Sequence, residues 1–139
     1  MTSTCTCGDV KVTIKSKPTY IYDCNCSVCR KSGAAWGYFT SGEVKMIGDT
    51  VAFARNDKSE PKVEIHACPR CFATTHFVLH PDFKAAHPEL DQTGVNMRLF
   101  NPDELVDVDV HYPNGKDWSG EGPFGFRREV LKITPEHPW

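Results

Sequence analysis

The chain has 139 residues, of which 40% are hydrophobic and 24% charged, and a formal net charge of −2. This length suits one domain with a single core, and no apolar run approaches the ~18 residues that span a bilayer. The weakly acidic charge argues against nucleic acid as a partner, and the opening residues MTSTCTCGDV lack the basic and apolar regions of a secretory signal, so we expect a cytoplasmic protein.

Short runs of alternating apolar residues, separated by turn residues, predict a series of β-strands. In chain order the predicted strands are 10–15, 36–40, 44–47, 51–55, 62–67, 73–79 and 95–100. Separators such as NDKSEP, residues 56–61, are typical of turns. Residues 81–90 have room for a turn or two of helix, and residues 127–133 are ambiguous. The pattern predicts one mainly β domain built from antiparallel sheets.

The segment 114–126 (NGKDWSGEGPFGF) is unusually rich in glycine and carries Trp118, Phe124 and Phe126. Its glycines predict a mobile or tightly turning loop. The aromatic side chains either cover a ligand or pin the C-terminal tail to the core, and we favour pinning.

Seven cysteines stand in three clusters, with the patterns C-x-C, C-x-C-x2-C and C-x2-C. Their positions are Cys5 and Cys7; Cys24, Cys26 and Cys29; and Cys68 and Cys71. In a reducing compartment such clusters indicate metal binding rather than disulfides. Independent packing cysteines would not be grouped in this way.

The first and last clusters are two-point hooks, each supplying half of a tetrahedral site. Residues i and i+2 of a flat strand lie ~6.5 Å apart, so Cys5 and Cys7 can share an ion only where the strand bends, and Gly8 allows such a bend. Joined to Cys68 and Cys71, they form a closed four-thiolate site that has no position for water. We call these four residues the cysteine quartet and predict that they hold a structural zinc ion.

The middle cluster, which we call the cysteine trio, consists of Cys24, Cys26 and Cys29. Three protein ligands plus one open position is the arrangement of a catalytic zinc ion. A zinc-ribbon partition, in which Cys24 and Cys29 join Cys68 and Cys71, stays open on spacing alone.

Several polar residues near the clusters have two possible roles. Arg30 and Lys31 either offset the charge of the trio or bind an anionic substrate, or they are solvated surface cations. His76 is our candidate for a proton donor that lines the pocket. For Asp23, a solvated carboxylate is favoured over an acceptor beside the metal ligands.

Three cysteine motifs and a late strand together resemble the glutathione-dependent formaldehyde-activating enzyme family, which also includes centromere protein V. The matching stretches are CTCGDV, CNCSVCRKSGAA, CPRC and VNMRLF. The resemblance implies a β-tent fold in one domain over residues 1–139, with a core at about 4–112 and a loop and tail at 113–139. It also implies two zinc ions per chain, a structural one on the quartet and a catalytic one on the trio.

Two positions depart from the family pattern. Asn25 stands where enzyme members commonly carry histidine, and it cannot transfer protons near neutral pH as histidine can. Phe72 stands where glycine commonly follows the C-x2-C hook, and a left-handed turn is costly for phenylalanine. We therefore expect a different local backbone at Phe72.

Characterised members of the family are carbon–sulfur lyases that join or part glutathione and formaldehyde. The resemblance therefore implies a zinc-dependent lyase acting on the thiol adduct of a small carbonyl compound, with a small thiol such as glutathione as partner. Two alternatives stay open: a non-catalytic zinc-binding scaffold and a redox-responsive thiol protein.

Overall fold

The computed structural model describes residues 1–57 and 59–139 as a mainly β fold, and Lys58, within the predicted turn 56–61, lies outside the described residues. The strands are β1 (Thr2–Thr4), β2 (Lys11–Ile14), β3 (Tyr20–Tyr22), β4 (Trp36–Phe39), β5 (Val44–Ile47), β6 (Val51–Ala54), β7 (Val63–Ala67), β8 (Thr74–Leu79), β9 (Thr93–Asn96), β10 (Asp109–His111) and β11 (Leu131–Lys132). The helices are α1 (Ser27–Ser32), α2 (Pro81–Ala86) and three 3₁₀ helices at Ser41–Glu43, Met97–Leu99 and Pro102–Leu105. None of the helices in these ranges is both long and apolar enough to cross a membrane.

The strands form two sheets. The smaller has the order β1-β2-β5, and the larger has the order β11-β10-β3-β4-β9-β8-β7-β6. Neighbouring strands are antiparallel except for β3 and β10, which pair in parallel. One cluster of buried residues takes Val12 and Ile14 from the small sheet and Ile21 and Val95 from the large one. The predicted class, mainly β with antiparallel sheets, is therefore confirmed.

The predicted strand 95–100 is wrong in its second half. The strand ends at Asn96, whose Oδ1 accepts hydrogen bonds from the backbone N–H groups of Ala35 (3.2 Å) and Arg98 (3.2 Å). This cap turns the chain into a 3₁₀ helix, a use of asparagine that competes with strand pairing. The strand also begins earlier than predicted, at Thr93, and includes Gly94, where a Cβ would collide with the ring of Phe77.

Three short strands and one short α-helix lie outside the predicted set: β1, β3, β10 and α1. Each spans three to six residues, too few for a strand or helix period to emerge. The ambiguous segment 127–133 contains β11, which pairs with β10. Ile133, directly after it, is fully buried in the main core cluster, so the C-terminal tail takes part in the core.

This topology places each cysteine cluster where strands end. The quartet lies where the turn between β1 and β2 meets the turn between β7 and β8, which joins the small sheet to the large one. The trio lies between the end of β3 and the start of β4, on and around α1. The two clusters are therefore separate.

Candidate metal centres

The cysteine quartet forms a compact cage of sulfur atoms. Its four Sγ atoms all lie within 4.8 Å of one another. Cys7 Sγ is 3.5 Å from Cys5 Sγ and 3.6 Å from Cys68 Sγ. A tetrahedral zinc ion with Zn–S bonds of ~2.3 Å requires sulfurs ~3.8 Å apart. The quartet therefore fits a four-coordinate metal without rearrangement.

Two tight turns present these sulfurs. Gly8, with φ of 84°, bends the chain after Cys7, as the C-x-C spacing predicts. On the other hook, the backbone N–H of Phe72 donates to the carbonyl of Cys68 at 2.9 Å, and Phe72 has φ of 60°. The expectation that phenylalanine changes this backbone is wrong: Phe72 adopts the left-handed conformation, with its side chain 76% exposed.

Backbone N–H groups point at the quartet sulfurs and favour their charged forms. Val10 N–H donates to Cys5 Sγ at 3.3 Å. The backbone N–H of Ala73 is the main cause that lowers the pKa of Cys71, to about 6. Arg70, between the two cysteines of the second hook, pairs with the carboxylate of Asp9 at 3.2 Å on the surface. The backbone N–H donors of Val10 and Ala73 therefore stabilise the thiolate forms of the quartet ligands.

In the cysteine trio every sulfur accepts one N–H hydrogen bond. The backbone N–H of Cys26 donates to Cys24 Sγ at 3.4 Å. Cys26 is the N-cap of α1, so its own Sγ accepts from the backbone N–H of Cys29 at 3.5 Å. The indole Nε1 of Trp36, on β4, donates to Cys29 Sγ at 3.3 Å. Gly33, with φ of 66°, ends α1 and returns the chain to the sheet.

The three thiols of the trio cannot all ionise freely. Hydrogen bonds from Cys24 and then Cys29 lower the pKa of Cys26. The pKa of Cys29 is raised, first by Cys24 and then by Cys26, and the pKa of Cys24 is raised mainly by Cys26. Negative charge therefore collects on Cys26 first, and three thiolates together call for a cation among them.

The trio fits a metal with one open position. Its three sulfurs lie within 4.8 Å of one another, and in the described ranges no histidine, acidic or further cysteine side chain completes the group. Soft thiolate ligands in this number suit zinc. The two groups match the predicted partition into four and three, and not the zinc-ribbon partition that mixes them.

The profile of the family described as glutathione-dependent formaldehyde-activating enzyme matches residues 1–101, which include all seven cysteines. The chain belongs to this family. The family's description implies an enzyme whose activity depends on glutathione and concerns formaldehyde. The match ends before the glycine-rich segment 114–126.

Among solved structures, the chain is similar to a Rhodobacter sphaeroides protein whose crystal structure was determined as a structural genomics target. The two share 21% sequence identity with a TM-score of 0.59, over 81% of this chain and 99% of the other. At this identity the likeness shows the fold alone. No curated protein matches the chain significantly in sequence.

Several aromatic side chains of the large sheet lie next to one another beside the trio, and we call this group the aromatic wall. Tyr20, Tyr22 and Tyr38 lie with ring centroids 4.7–5.8 Å apart, and His111 lies 5.5 Å from Tyr20. Burial, and then the charges of Cys29 and Cys24, raise the pKa of Tyr38, so its hydroxyl keeps its proton at neutral pH. Sequence reasoning missed Tyr20 and Tyr22, although the motif Y-x-Y directly precedes the trio.

A cleft of about 460 Å³ opens beside α1, between this helix and the edge strands of the large sheet. Its apolar floor includes Phe53 and Ile65, and its polar lining includes Lys31 and Arg55. The hydrogen bonds that Arg55 donates to the carboxylate of Asp57 raise the pKa of Arg55, and the charges of Cys26 and Cys29 raise it further. Arg55, which sequence reasoning missed, thus lies within electrostatic reach of the trio.

Of the two cations considered, only Lys31 lines this cleft. Arg30, its neighbour on α1, is exposed and outside the lining. The favoured interpretation of Asp23 as a solvated carboxylate is wrong. Its side chain is 18% exposed and pairs with Arg98 at 2.9 Å and Arg127 at 3.1 Å, which ties the segment before Cys24 to the C-terminal half of the chain.

His76, our candidate proton donor, faces away from the trio. Its neighbour Phe77 packs with Trp36 and Cys29, and successive residues of a strand point to opposite faces. His76 instead stacks on His66, with ring centroids 4.4 Å apart. The structure therefore does not bring His76 to the candidate site.

Proposed function

We propose that this chain is a zinc-dependent carbon–sulfur lyase that acts on the adduct of a glutathione-type thiol with a small carbonyl compound. In one direction the thiol gives up its proton and its sulfur attacks the carbonyl carbon; the C–S bond forms as the C=O π bond breaks, and the oxygen takes up the proton. In the other direction the hydroxyl loses that proton, the C–S bond breaks, and thiol and carbonyl compound separate. No oxidant or reductant is needed.

The observation that carries this proposal is the trio itself: three sulfurs within 4.8 Å, each accepting an N–H hydrogen bond, without a fourth side-chain ligand in the described ranges. A closed structural site uses four ligands, as the quartet offers. In the proposal, Cys24, Cys26 and Cys29 hold the catalytic zinc, and the quartet holds the structural one. A zinc ion bound by Cys24, Cys26 and Cys29 would supply Lewis-acid chemistry to a carbonyl oxygen or a thiol.

The chain's own residues have further roles in this proposal. The N–H donors of Cys26, Cys29 and Trp36 withdraw negative charge from the sulfurs. Tyr38 keeps the proton on its hydroxyl and contributes to the aromatic wall beside the trio. The cleft takes the part of the thiol that does not react, with Lys31 as the partner of a carboxylate and Phe53 in contact with the carbon chain. Glutathione carries two carboxylates and suits such a lining.

The proposal treats residues 1–139 as one functional domain. The burial of Ile133 in the main core supports the inclusion of the tail. It also assigns the protein to the cytoplasm, where thiolates persist as metal ligands because disulfides are reduced.

A redox-responsive thiol site is the second candidate. It is favoured by the same closeness of three half-buried thiols. Clustered thiolates without metal oxidise readily. Under mild peroxide this role predicts a disulfide within the trio and loss of one metal ion, whereas the lyase keeps both.

The test of the lyase is steady-state turnover of small hemithioacetals by the wild type and by Cys26→Ser. The expected result is loss of turnover in Cys26→Ser while the fold and the metal on the quartet are retained. Equal rates in both proteins would overturn the catalytic role of the trio.

A further inference from the structure

A continuous chain of hydrogen bonds joins Asn25 to the glycine-rich segment. The backbone N–H of Lys116 donates to Asn25 Oδ1 at 2.9 Å. Asn25 Nδ2 donates to Asn114 Oδ1 at 2.9 Å, and Asn114 Nδ2 donates to the carboxylate of Asp117 at 2.8 Å. Asn25 lies between Cys24 and Cys26 in the sequence, so these hydrogen bonds connect the glycine-rich segment to the middle of the trio.

The direction of these bonds is fixed at both ends. The side-chain amide of asparagine has an oxygen that accepts and a nitrogen that donates, and the two atoms occupy similar positions. The hydrogen-bond partners therefore decide which of the two orientations the amide adopts. At one end the partner of Asn25 is a backbone N–H, which can only donate. At the other end the partner of Asn114 is a carboxylate, which accepts. One arrangement satisfies every group, and it needs both the oxygen and the nitrogen of the Asn25 amide.

The glycine-rich segment lies directly on the trio. We call residues 113–126 the trio loop. A Cβ on Gly115 would collide with Cys24 Sγ and come within 3.0 Å of the Cβ of Cys26. The loop backbone is thus in contact with one side of the trio, and glycine is required there by the lack of space.

Other contacts hold the opposite edge of the trio loop. The backbone N–H of Asn114 donates to the carbonyl of Gly125 at 2.7 Å, which closes the base of the loop. The rings of Phe124 and Phe126 lie 6.2 and 6.5 Å from that of Tyr22. These contacts attach the returning arm of the loop to the sheet. The outgoing arm, next to Cys24, is held by Asn25.

We propose that Asn25 is a positioning residue that holds the trio loop against Cys24 and so closes that side of the reactive site. In this proposal reactants approach the trio from the side of α1, whose residues Ser27 and Val28 line the cleft together with Arg55. The inference rests on the proposed function only in naming the reactants. Because the loop backbone occupies one side of the trio, the proposal expects a small carbonyl group to be accepted more readily than a bulky one.

The first test measures the loop without reference to activity. Hydrogen–deuterium exchange of the metal-loaded protein is compared between the wild type and Asn25→Ala. Loss of two hydrogen bonds predicts amide exchange at residues 114–117 that is faster by about tenfold or more. Asn25→Asp keeps the acceptor for Lys116 N–H but loses the donor to Asn114, so a smaller increase is expected. Ser119→Ala, which removes a hydroxyl from the same loop away from Asn25, is the control and leaves these amides unchanged.

Asn114→Ala should reproduce the effect of Asn25→Ala, and the double variant should add little, because both break one chain of bonds. Metal transfer to the chelator 4-(2-pyridylazo)resorcinol should be faster for one of the two ions in Asn25→Ala. Unchanged exchange at 114–117 in Asn25→Ala would overturn the proposal, whatever happens to turnover.

The second test concerns selectivity. In Asn25→Ala, kcat/KM for hemithioacetals of bulky aldehydes should rise relative to that for the smallest aldehyde, by about fivefold to tenfold, since a freed loop admits larger groups. A ratio equal to that of the wild type would contradict closure by the loop. If the wild type turns over none of these compounds, the lyase proposal fails while the exchange experiment still decides the role of Asn25.

Discussion

The indole Nε1 of Trp36 donates a hydrogen bond to the Sγ of Cys29 at 3.3 Å. Trp36 is 3% exposed and packs edge-on against Phe77, with ring centroids 5.0 Å apart. The bond therefore connects a rigid part of the large sheet to a sulfur of the trio. An N–H donor in this position disperses the charge of a thiolate and orients it.

Trp36→Phe should weaken metal binding at the trio by about tenfold, because partners of metal ligands contribute to affinity in this range. Competition titration with a chelator measures the affinity. Trp118→Phe is the matched control, since that indole donates to the carbonyls of Glu121 and Gly122 within the trio loop. An unchanged affinity in Trp36→Phe, or an equal loss in the control, would count against this role.

Lys31→Ala tests the cleft as the site of the thiol's carboxylate. We expect kcat/KM for the glutathione adduct to fall by about tenfold, because a charge-assisted hydrogen bond of ~1.5 kcal/mol is lost. The adduct of the neutral thiol 2-mercaptoethanol should be affected little. Arg30→Ala changes the adjacent cation outside the cleft and should leave both unchanged. Equal losses for the charged and neutral thiols in Lys31→Ala would show that the cleft does not bind the carboxylate.

His76 predicts a specific pH dependence of stability. Its burial, and then the neighbouring His66, lower the pKa of His76 to about 4. The unfolded chain therefore binds more protons between about pH 6.5 and 4, so the free energy of unfolding falls as the pH falls through this range. The free energy of unfolding is measured by denaturant titration at pH 7 and pH 4.5. Its decrease between these two pH values should be smaller by ~2–3 kcal/mol in His76→Gln than in the wild type. The exposed residue His137, changed to Gln, is the control, and an identical pH effect in wild type and His76→Gln would refute the prediction.

Phe72 offers a stabilising change. A left-handed conformation destabilises a residue with a Cβ by ~1–2 kcal/mol, and glycine avoids this cost. Glycine also has more conformational freedom to lose on folding, which offsets ~0.5–1 kcal/mol of the gain. Phe72→Gly should therefore raise the free energy of unfolding by ~0.5–1 kcal/mol, as measured by denaturant titration. Phe53→Gly, at an exposed phenylalanine inside β6, should lower it instead. A loss of stability in Phe72→Gly would mean that its ring contributes more than its backbone costs.

Much of the fold follows from local patterns in the sequence. Alternating apolar residues predict β2 and β4 to β8 to within one residue at most ends, and the segment containing α2 is also predicted. Coordination number favours the grouping of cysteines into a quartet and a trio, and the positions of the sulfur atoms in the structure select it over the zinc-ribbon partition. These features depend on residues close in sequence or on simple ligand counting.

The features that sequence reasoning misses depend on contacts between distant segments. Asn25 bonds to Asn114 and Lys116, about ninety positions later, and the charges of Cys26 and Cys29 act on Arg55, which lines the cleft. Phe72 accepts an unfavourable backbone because the hook geometry around Cys68 requires it. The rings of Phe124 and Phe126 lie against Tyr22, which agrees with the favoured role of pinning, whereas the contact of Gly115 with the trio was not predicted.

The most direct test of the two-site account is a metal count on the purified protein and on Cys24→Ser. We predict two zinc ions per chain in the wild type and about one in Cys24→Ser, with the circular dichroism spectrum unchanged. A wild type with a single ion, or a Cys24→Ser variant that keeps both, would contradict a separate metal centre at the trio.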